Sequence, residues 1–436
     1  MCRRSHVYAR RMASQLSPLV APDVDISSLD LSNPEFWLLP RDVREGAFHA
    51  LRQAPELRYS QEWVFPDSPF PPGPGYWSLV SHHDVWFASR NPQLFISGQG
   101  SNIQDLPIEM AEFFGSMIAM DDPKHFRLRS IVSKGFTPKE ISRVEQYVHE
   151  KATELVDKII EEHPDGECDF VTEIAAPLPL KIICEMMGIP PADEEQIFHW
   201  TNVILGAGDP EFGGTLEALM AAAMGMFAYA QQLGEDRLKT PGDDLTSIMM
   251  HAEVDGQRLT AQEFGSFFIL LAVAGNETTR NAISHGMRAL TQYPDQKDIW
   301  WNDWDGVTKT AVDEIVRWAT PVIHFRRTAT EDVVLSNTKI EAGQKVVLWY
   351  CSANRDESVF TDPYVFDVRR PLQPQQAGFG AGGPHFCLGA NLARREIAVM
   401  FDEIRRRLPN MRITGEPDWL QSNFINGIKH LPCAWT

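Results

Sequence analysis

Residues Thr260 to Leu290 read as one helix of about thirty residues, roughly 45 Å long at 1.5 Å per residue. A helix of that length crosses a whole domain, so the rest of the chain has to be arranged around it. Its middle, Ala274-Gly275-Asn276-Glu277-Thr278-Thr279, is poor helix sequence inside good helix sequence. Gly275 costs about 1 kcal/mol relative to Ala in a helix interior. The Thr278 hydroxyl is placed to donate to the Ala274 carbonyl four residues back and so bend the helix. A local opening beside Gly275 leaves room for a diatomic ligand and ordered water. Glu277, next to that hydroxyl, forms an acid–alcohol pair that can relay protons. The same residues also suit a helix that merely kinks, with Glu277 paired to Arg280 on the surface. Phe267, Leu270, Leu271, Ala274 and Thr278 share one face.

A second constraint is Phe379-Gly380-Ala381-Gly382-Gly383-Pro384-His385-Phe386-Cys387-Leu388-Gly389. Its glycines let the backbone pass close to something flat and bulky, because no Cβ stands in the way. Beyond Cys387 a helical pattern begins: Ala393, Ile397, Met400, Phe401, Ile404 and Leu408 recur at three- and four-residue spacing, so one face is buried. A thiol at a helix N-terminus sits at the positive end of the helix dipole, which favours the thiolate. One thiolate on a glycine loop suits an axial haem ligand. Two plainer readings stand beside it: a small buried hydrophobe, or a phosphate-binding turn. A phosphate loop wants Gly-Lys-Ser/Thr at its end, where this chain has Cys-Leu-Gly.

Elsewhere the chain alternates helix and short strand. Arg41 to Ala54 predicts a first helix; Glu56–Val64, Tyr76–Val80, Val322–Thr328 and Lys345–Trp349 predict a small sheet beside a helical body. Asn91 to Asp121, with Gly98, Gly100 and Pro107, reads as a loop. His125 and Arg129 lie four residues apart on one helix face, fitting either a pair of bound carboxylates or a solvated basic face. Val144, Val148, Ala152, Leu155, Val156, Ile159 and Ile160 form a buried stripe on a long helix that starts at Pro138. Two helices, Gln196–Leu205 and Leu216–Leu233, carry a soft surface rich in Met and Ala, suited to varied apolar ligands or to a plain core. Glu314 and Arg317 are placed for an ordinary helical ion pair. Strand alternation puts Ile323, Phe325 and Arg327 on one side, and Val322, His324 and Arg326 on the other. Asn423 to Gly427 reads as a turn with Phe424 and Ile425 at its tip.

Composition narrows the partners. A net charge of −19 argues against nucleic acid. Six scattered cysteines without a CxxC pair suit a reducing compartment, the cytoplasm, not a disulfide framework. No run of eighteen apolar residues offers a transmembrane anchor. The basic start, Met1 to Arg11, lacks the apolar core of a signal peptide and reads as an extension. At 436 residues the length prior is about three domains, yet no linker divides the chain.

The glycine loop resembles the haem-binding loop of the cytochrome P450 family, Phe-x-x-Gly-x-His/Arg-x-Cys-x-Gly. Gly383, His385, Cys387 and Gly389 match residue for residue. Phe379 lies one position early, and the branch that oxidises lipid and steroid side chains in mycobacteria has a similar longer loop. The helix centre matches the family's (Ala/Gly)-Gly-x-(Asp/Glu)-Thr-(Thr/Ser), and Glu314-x-x-Arg317 matches its Glu-x-x-Arg pair. The resemblance covers nearly the whole chain. It implies a mainly α fold with a small β region, a triangular prism with the long helix over the haem: one domain over residues 23–436, after an extension over 1–22.

The resemblance also assigns roles. Cys387 would ligate the iron of haem b, with Phe379, Gly383, His385, Gly389, Ala274 and Gly275 around it and His125, Arg129 and Arg327 on the propionates. Glu277 and Thr278 would handle protons. Glu314 and Arg317 would hold the segment before the haem loop, through Arg370 and the carbonyls of Asp362 to Arg370. Phe267, Leu270, Leu271, Ala274, Val322, Ile323, Phe325, Phe424 and Ile425 would wall the substrate cavity, roofed by the Met- and Ala-rich helices and covered by the Asn91–Asp121 loop. The implied activity is hydroxylation of the terminal methyl of methyl-branched lipids, by a monomer using O2 and electrons from a ferredoxin and its reductase. Side-chain hydroxylation of a sterol is the nearest alternative, and a haem protein that only senses ligands the next. Arg127, Lys134, Arg394 and Arg395 are the expected basic patch for the ferredoxin.

Overall fold

The computed structural model describes residues 24–64, 69–254 and 256–436; the expected extension over 1–22 lies outside them. In chain order the helices include α1 (Arg41–Gln53), α2 (His82–Arg90), α3 (Ile108–Gly115), α4 (Lys124–Val132), α5 (Pro138–Glu162), α6 (Pro177–Met187), α7 (Glu194–Leu205), α8 (Leu216–Lys239), α9 (Ala261–Gln292), α10 (Trp304–Ala319) and α11 (Ala390–Arg407). The long helix is α9, at 32 residues. Thr260 starts it by a reciprocal cap. Its hydroxyl accepts from the Glu263 N–H while the Glu263 carboxylate accepts from the Thr260 N–H, which satisfies two donors the helix cannot. Helices α3, α6, α7, α8, α10 and α11 all pack against α9. It is therefore buried around most of its circumference, as its largely apolar composition requires. The exception is a window at Val273–Gly275 and Thr278.

The strands β1 (Arg58–Ser60), β2 (Tyr76–Leu79), β3 (Phe95–Ile96), β4 (His324–Ala329) and β5 (Lys345–Trp349) form one sheet in the order β1-β2-β5-β4-β3. All four expected strands are in it. β5 runs parallel to β2 and antiparallel to β4. Buried along its whole length, β5 alternates between two small cores: Val346 and Leu348 pack on the α2 side, Val347 and Trp349 on the α1 side. The third and largest core surrounds α9 and takes in the expected stripe of α5 from Val144 to Ile159, but Ile160 is exposed, because it lies on the side of α5 turned away from that core. The Asn91–Asp121 stretch is more ordered than a loop, since it contains β3 and α3. Among the described residues no helix is long and apolar enough to cross a membrane.

Candidate active site

The glycine loop runs along the outer edge of α2. Gly383 has φ +74°, and a Cβ there would lie 2.0 Å from the Ser89 carbonyl oxygen, so only glycine fits. The Ser89 hydroxyl donates to the Gly382 carbonyl at 2.9 Å, fastening the loop to the helix. The Cys387 N–H donates to the Phe379 carbonyl at 2.9 Å, so the extra residue between them is absorbed without separating the two. Arg394 lies over the Phe379 ring at 4.4 Å. α11 starts at Ala390, three residues beyond Cys387.

The Cys387 sulfur is exposed, but to a hollow within the protein body: burial is the largest influence on the thiol and pushes it up. The Gly389 N–H, Arg129 and Arg394 pull the other way. The expected thiolate is thus not supplied by the helix terminus alone; it calls for a cation beside the sulfur.

Basic groups converge around the Cys387 end of the loop. His125 is buried, with Nδ1 3.1 Å from Asp122 Oδ1 and Nε2 without a partner among the described residues. Its ring centroid is 4.4 Å from that of His385, whose Nε2 lies 3.1 Å from Ser97 Oγ. Arg129 donates to the Phe386 carbonyl at 2.7 Å, and the fully enclosed Arg327 to the Arg326 carbonyl at 2.7 Å. Among the described residues neither guanidinium has an ion pair with a carboxylate. Burial lowers the pKa of both. It also lowers His385 far below its ordinary value, with Arg327, His125 and Arg129 adding to the effect. Two arginines and an unpartnered imidazole nitrogen around a thiol-lined hollow fit a dianionic, metal-centred macrocycle: the cations answer two carboxylates and the sulfur answers the metal.

At the centre of α9 the Thr278 hydroxyl donates to the Ala274 carbonyl at 2.9 Å, as the sequence predicts. Glu277 is 1% exposed and ion-paired to Arg280. The pairing is the one expected of a surface kink, but it is buried. Glu277 Oε1 has no hydrogen-bond partner among the described residues, and burial raises the carboxyl despite Arg280. Arg280 also donates to Asn202 Oδ1 on α7 at 2.9 Å. Gly275 does not border open space as expected. A Cβ there would meet the Ile183 side chain of α6 at 2.9 Å, so this glycine permits close helix packing, and the opening is made by Ala274 and Thr278 instead.

That opening leads into a cavity of about 810 Å³. Leu270, Ala274, Val322, Phe325, Phe424 and Ile425 line it as expected, Val322 and Ile425 being bridged by backbone pairing. Phe267, Leu271 and Ile323 do not. The first two lie in the α9 core, and Ile323 turns to the opposite side of its extended segment. Ile269 and Val273 take their place from α9, with Met110 and Phe114 from α3 and Leu219 from α8. The Ala- and Met-rich stretch of α8 is split: Ala222, Ala223 and Met226 are buried in the core, Ala221, Met224 and Ala228 are exposed, and only the start of α8 reaches the cavity. The loop from Gly100 to Leu106 closes one side. No Lys or Arg lines the cavity among the described residues, and His324 in its wall is held neutral by burial, at about 3.

Glu314 and Arg317 behave as expected. Arg317 donates to both Glu314 oxygens (2.6 and 2.8 Å) and to the carbonyls of Asn354 and Pro363. Arg370 donates to Glu314 at 3.0 Å and to the carbonyls of Thr361, Asp362 and Val365. The expected basic patch is largely neutralised: Arg127 pairs with Glu263, Arg394 with Asp313 and Arg395 with Glu145, while Lys134 is exposed.

The sequence profile of the family described as cytochrome P450 matches residues 306–408. The methyl-branched lipid omega-hydroxylase of Mycobacterium tuberculosis is 53% identical over 426 residues, covering 98% of this chain and 99% of that one. A steroid C26-monooxygenase of Rhodococcus jostii is 44% identical, covering 81% of this chain and 74% of its own. Among solved structures, a Mycobacterium marinum cytochrome P450 in complex with pseudoionone superposes with a TM-score of 0.88 at 40% identity, covering 93% of this chain and 98% of that one.

Proposed function

The chain belongs to the cytochrome P450 family of haem-dependent monooxygenases, and on that premise we propose that it hydroxylates the terminal methyl of methyl-branched lipids. The observation that carries the reading is the apolar cavity of about 810 Å³, which meets α9 at Ala274 and Thr278. Its large volume and absence of cations suit a long neutral or weakly polar lipid. The relatives named for methyl-branched lipids and for steroids both act, by name, on lipids.

Haem b is the group the site would hold: Cys387 would bind its iron, Arg129, Arg327 and His125 would hold its propionates, and residues 23–436 would act as one domain. When bound, haem supplies activation of O2 for insertion of one oxygen atom into a C–H bond, with electrons from a ferredoxin and its reductase. The protein's own residues do the rest. Leu270, Ala274, Val322, Phe325, Phe424 and Ile425 hold the chain end-on, excluding water and keeping inner carbons back. That restraint is needed, because primary C–H bonds are stronger than the secondary ones beside them. Thr278 Oγ directs its own hydrogen to the Ala274 carbonyl and so offers its lone pairs to a proton donor at the cavity edge. Glu277, protonated more readily than an ordinary carboxyl, is the adjacent proton store.

The test compares a terminally branched lipid with its straight-chain equal and with a sterol, measuring affinity and the position of the new hydroxyl. Each extra buried methyl contributes about 0.8 kcal/mol, roughly a four-fold gain in affinity. Terminal hydroxylation with branched-chain preference is the expected result. Equal turnover of the straight chain, or mainly inner-carbon products, refutes the branch-selective reading, and a preference for the sterol moves the assignment to side-chain hydroxylation.

A further inference from the structure

A second cavity, of about 60 Å³, lies between α1, the C-terminal half of α9 and the end of α10, and shares no lining residue with the large one. The two are separated by single extended segments. Val322 and His324 face the lipid cavity and Ile323 the small one; Ile425 and Asn426 divide in the same way. Four arginines line the small cavity, Arg41, Arg44, Arg288 and Arg355, against one carboxylate, Glu45. Glu45 reaches two of them, at 3.4 Å from Arg41 Nε and 3.5 Å from Arg355 Nε. Among the described residues, that leaves buried nitrogens without a hydrogen-bond partner on two side chains, Arg41 Nη2 and Arg44 Nε.

The guanidiniums are held in place by indoles. Arg41 and Arg355 lie over Trp318 at 4.0 and 4.6 Å, and Arg44 over Trp419 at 5.6 Å. Stacking uses the faces of the planar groups; Arg355 spends its terminal nitrogens on the carbonyls of Arg317 (3.0 Å) and Trp318 (2.9 Å), while Arg41 Nη2 and Arg44 Nε keep N–H groups for an in-plane acceptor. Like charges gathered in this way destabilise one another, and burial lowers the pKa of both Arg44 and Arg355. A structure keeps unpaired buried donors and clustered cations together at a cost that an anion in their midst removes. The volume takes about four or five waters, the space one tetrahedral oxyanion occupies, and arginine forks match the oxygens of such an ion.

We propose that this cavity is a binding site for a small tetrahedral oxyanion of the phosphate class, separate from the haem and lipid sites. Its occupant links α1 to α9 and to the Asn423–Gly427 turn. Asn426 forms part of the wall, donates to the Ala319 carbonyl at 2.6 Å and accepts, through its own carbonyl, from His285 at 2.9 Å.

The test is equilibrium binding of inorganic phosphate to the haem-loaded protein, with sodium chloride at matched ionic strength as the control. Saturable binding at one site per chain is expected, with a rise in melting temperature that chloride does not reproduce. Arg44→Gln, with unchanged absorption spectrum, should weaken phosphate binding about ten- to a hundred-fold, the range for losing one charge-assisted hydrogen bond. If Arg44→Gln does not fold, Arg41→Gln is measured in the same way. Phosphorus-31 line broadening by the wild-type protein decides the binding itself without any variant. No saturable binding to the wild type, or undiminished binding to a folded variant, overturns the proposal.

Discussion

Glu396 offers the sharpest check on how the two central helices are joined. It lies on α11, is 2% exposed, and is hydrogen-bonded to Thr279 of α9. Burial pushes its carboxyl up from 4.5 to about 8, and only the Thr279 hydroxyl opposes the shift. The folded chain therefore keeps a proton that the unfolded chain has released over that interval. The contribution of Glu396 to stability is full below about pH 4.5, falls as pH rises, and levels off above about pH 8. The whole span is about 3.5 pH units, or roughly 5 kcal/mol, of which about 3.5 kcal/mol falls between pH 5 and pH 8. Glu396→Gln keeps the shape and the bond to Thr279 and abolishes the titration. Unfolding entropy of about 2.1 cal/mol/K per residue makes each kcal/mol worth about 1 °C in a chain of this length. The melting temperature of the wild type, relative to Glu396→Gln, should then drop by about 4 °C from pH 5 to pH 8 in calorimetric scans at one fixed rate. Every other titrating group is common to both proteins and cancels. Parallel profiles across that range would refute the argument that Glu396 is a buried carboxyl without a cation.

Three further outcomes follow from named contacts. Gly383→Ala adds a left-handed backbone strain of about 1–3 kcal/mol to a collision with the Ser89 carbonyl; haem absorbance per protein should fall, and a fully loaded variant that melts like the wild type counts against the loop geometry. Glu314→Gln leaves Arg317 and Arg370 facing a neutral group in a buried site; a loss of about 3–5 kcal/mol is expected, read as a lower melting temperature, and an unchanged one contradicts it. Thr278→Ala should leave lipid affinity intact while product formation drops by about a hundred-fold and reductant consumption continues with release of hydrogen peroxide; an unaltered ratio of product to reductant removes Thr278 from proton handling.

The parts of the fold visible in the sequence are those written in local spacing. α9 is legible because an apolar helix of that length has few alternatives, and the Thr278–Ala274 bond because it spans one turn. The pairing of Glu314 with Arg317 is legible for the same reason. What spacing cannot reveal is which side of a buried element faces a void and which faces a neighbour. Phe267 and Leu271 lie close to Leu270 and Ala274 on the helical wheel, yet they pack into the core. Ile323 and Phe325 share a strand face by alternation, yet only Phe325 reaches the cavity, because the strand proper begins at His324. Ion pairs between distant residues are equally hidden. Arg127 and Arg394 read as a docking patch until Glu263 and Asp313 are brought to them across the fold. A ferredoxin would have to compete with those carboxylates or use other cations.

Glu277 is where the two readings of the sequence meet. Its side chain is paired with Arg280, as the plain reading requires, and buried in the helix core, as the proton-handling reading requires. Burial favours the protonated carboxyl and Arg280 the ionised one. For Glu277 to serve Thr278 it would have to leave Arg280, and a guanidinium abandoned in the interior would be expensive. Asn202 lessens that penalty: its side-chain oxygen already accepts from Arg280 at 2.9 Å, so the cation keeps one acceptor when the carboxyl moves. The orphaned Oε1 lowers the barrier from the other end, since half of the carboxyl has no hydrogen bond to break. On the proposed proton-handling role, the pairing with Arg280 would be strong enough to place the acid and incomplete enough to release it, and Asn202 on α7 is the residue that would ease the exchange.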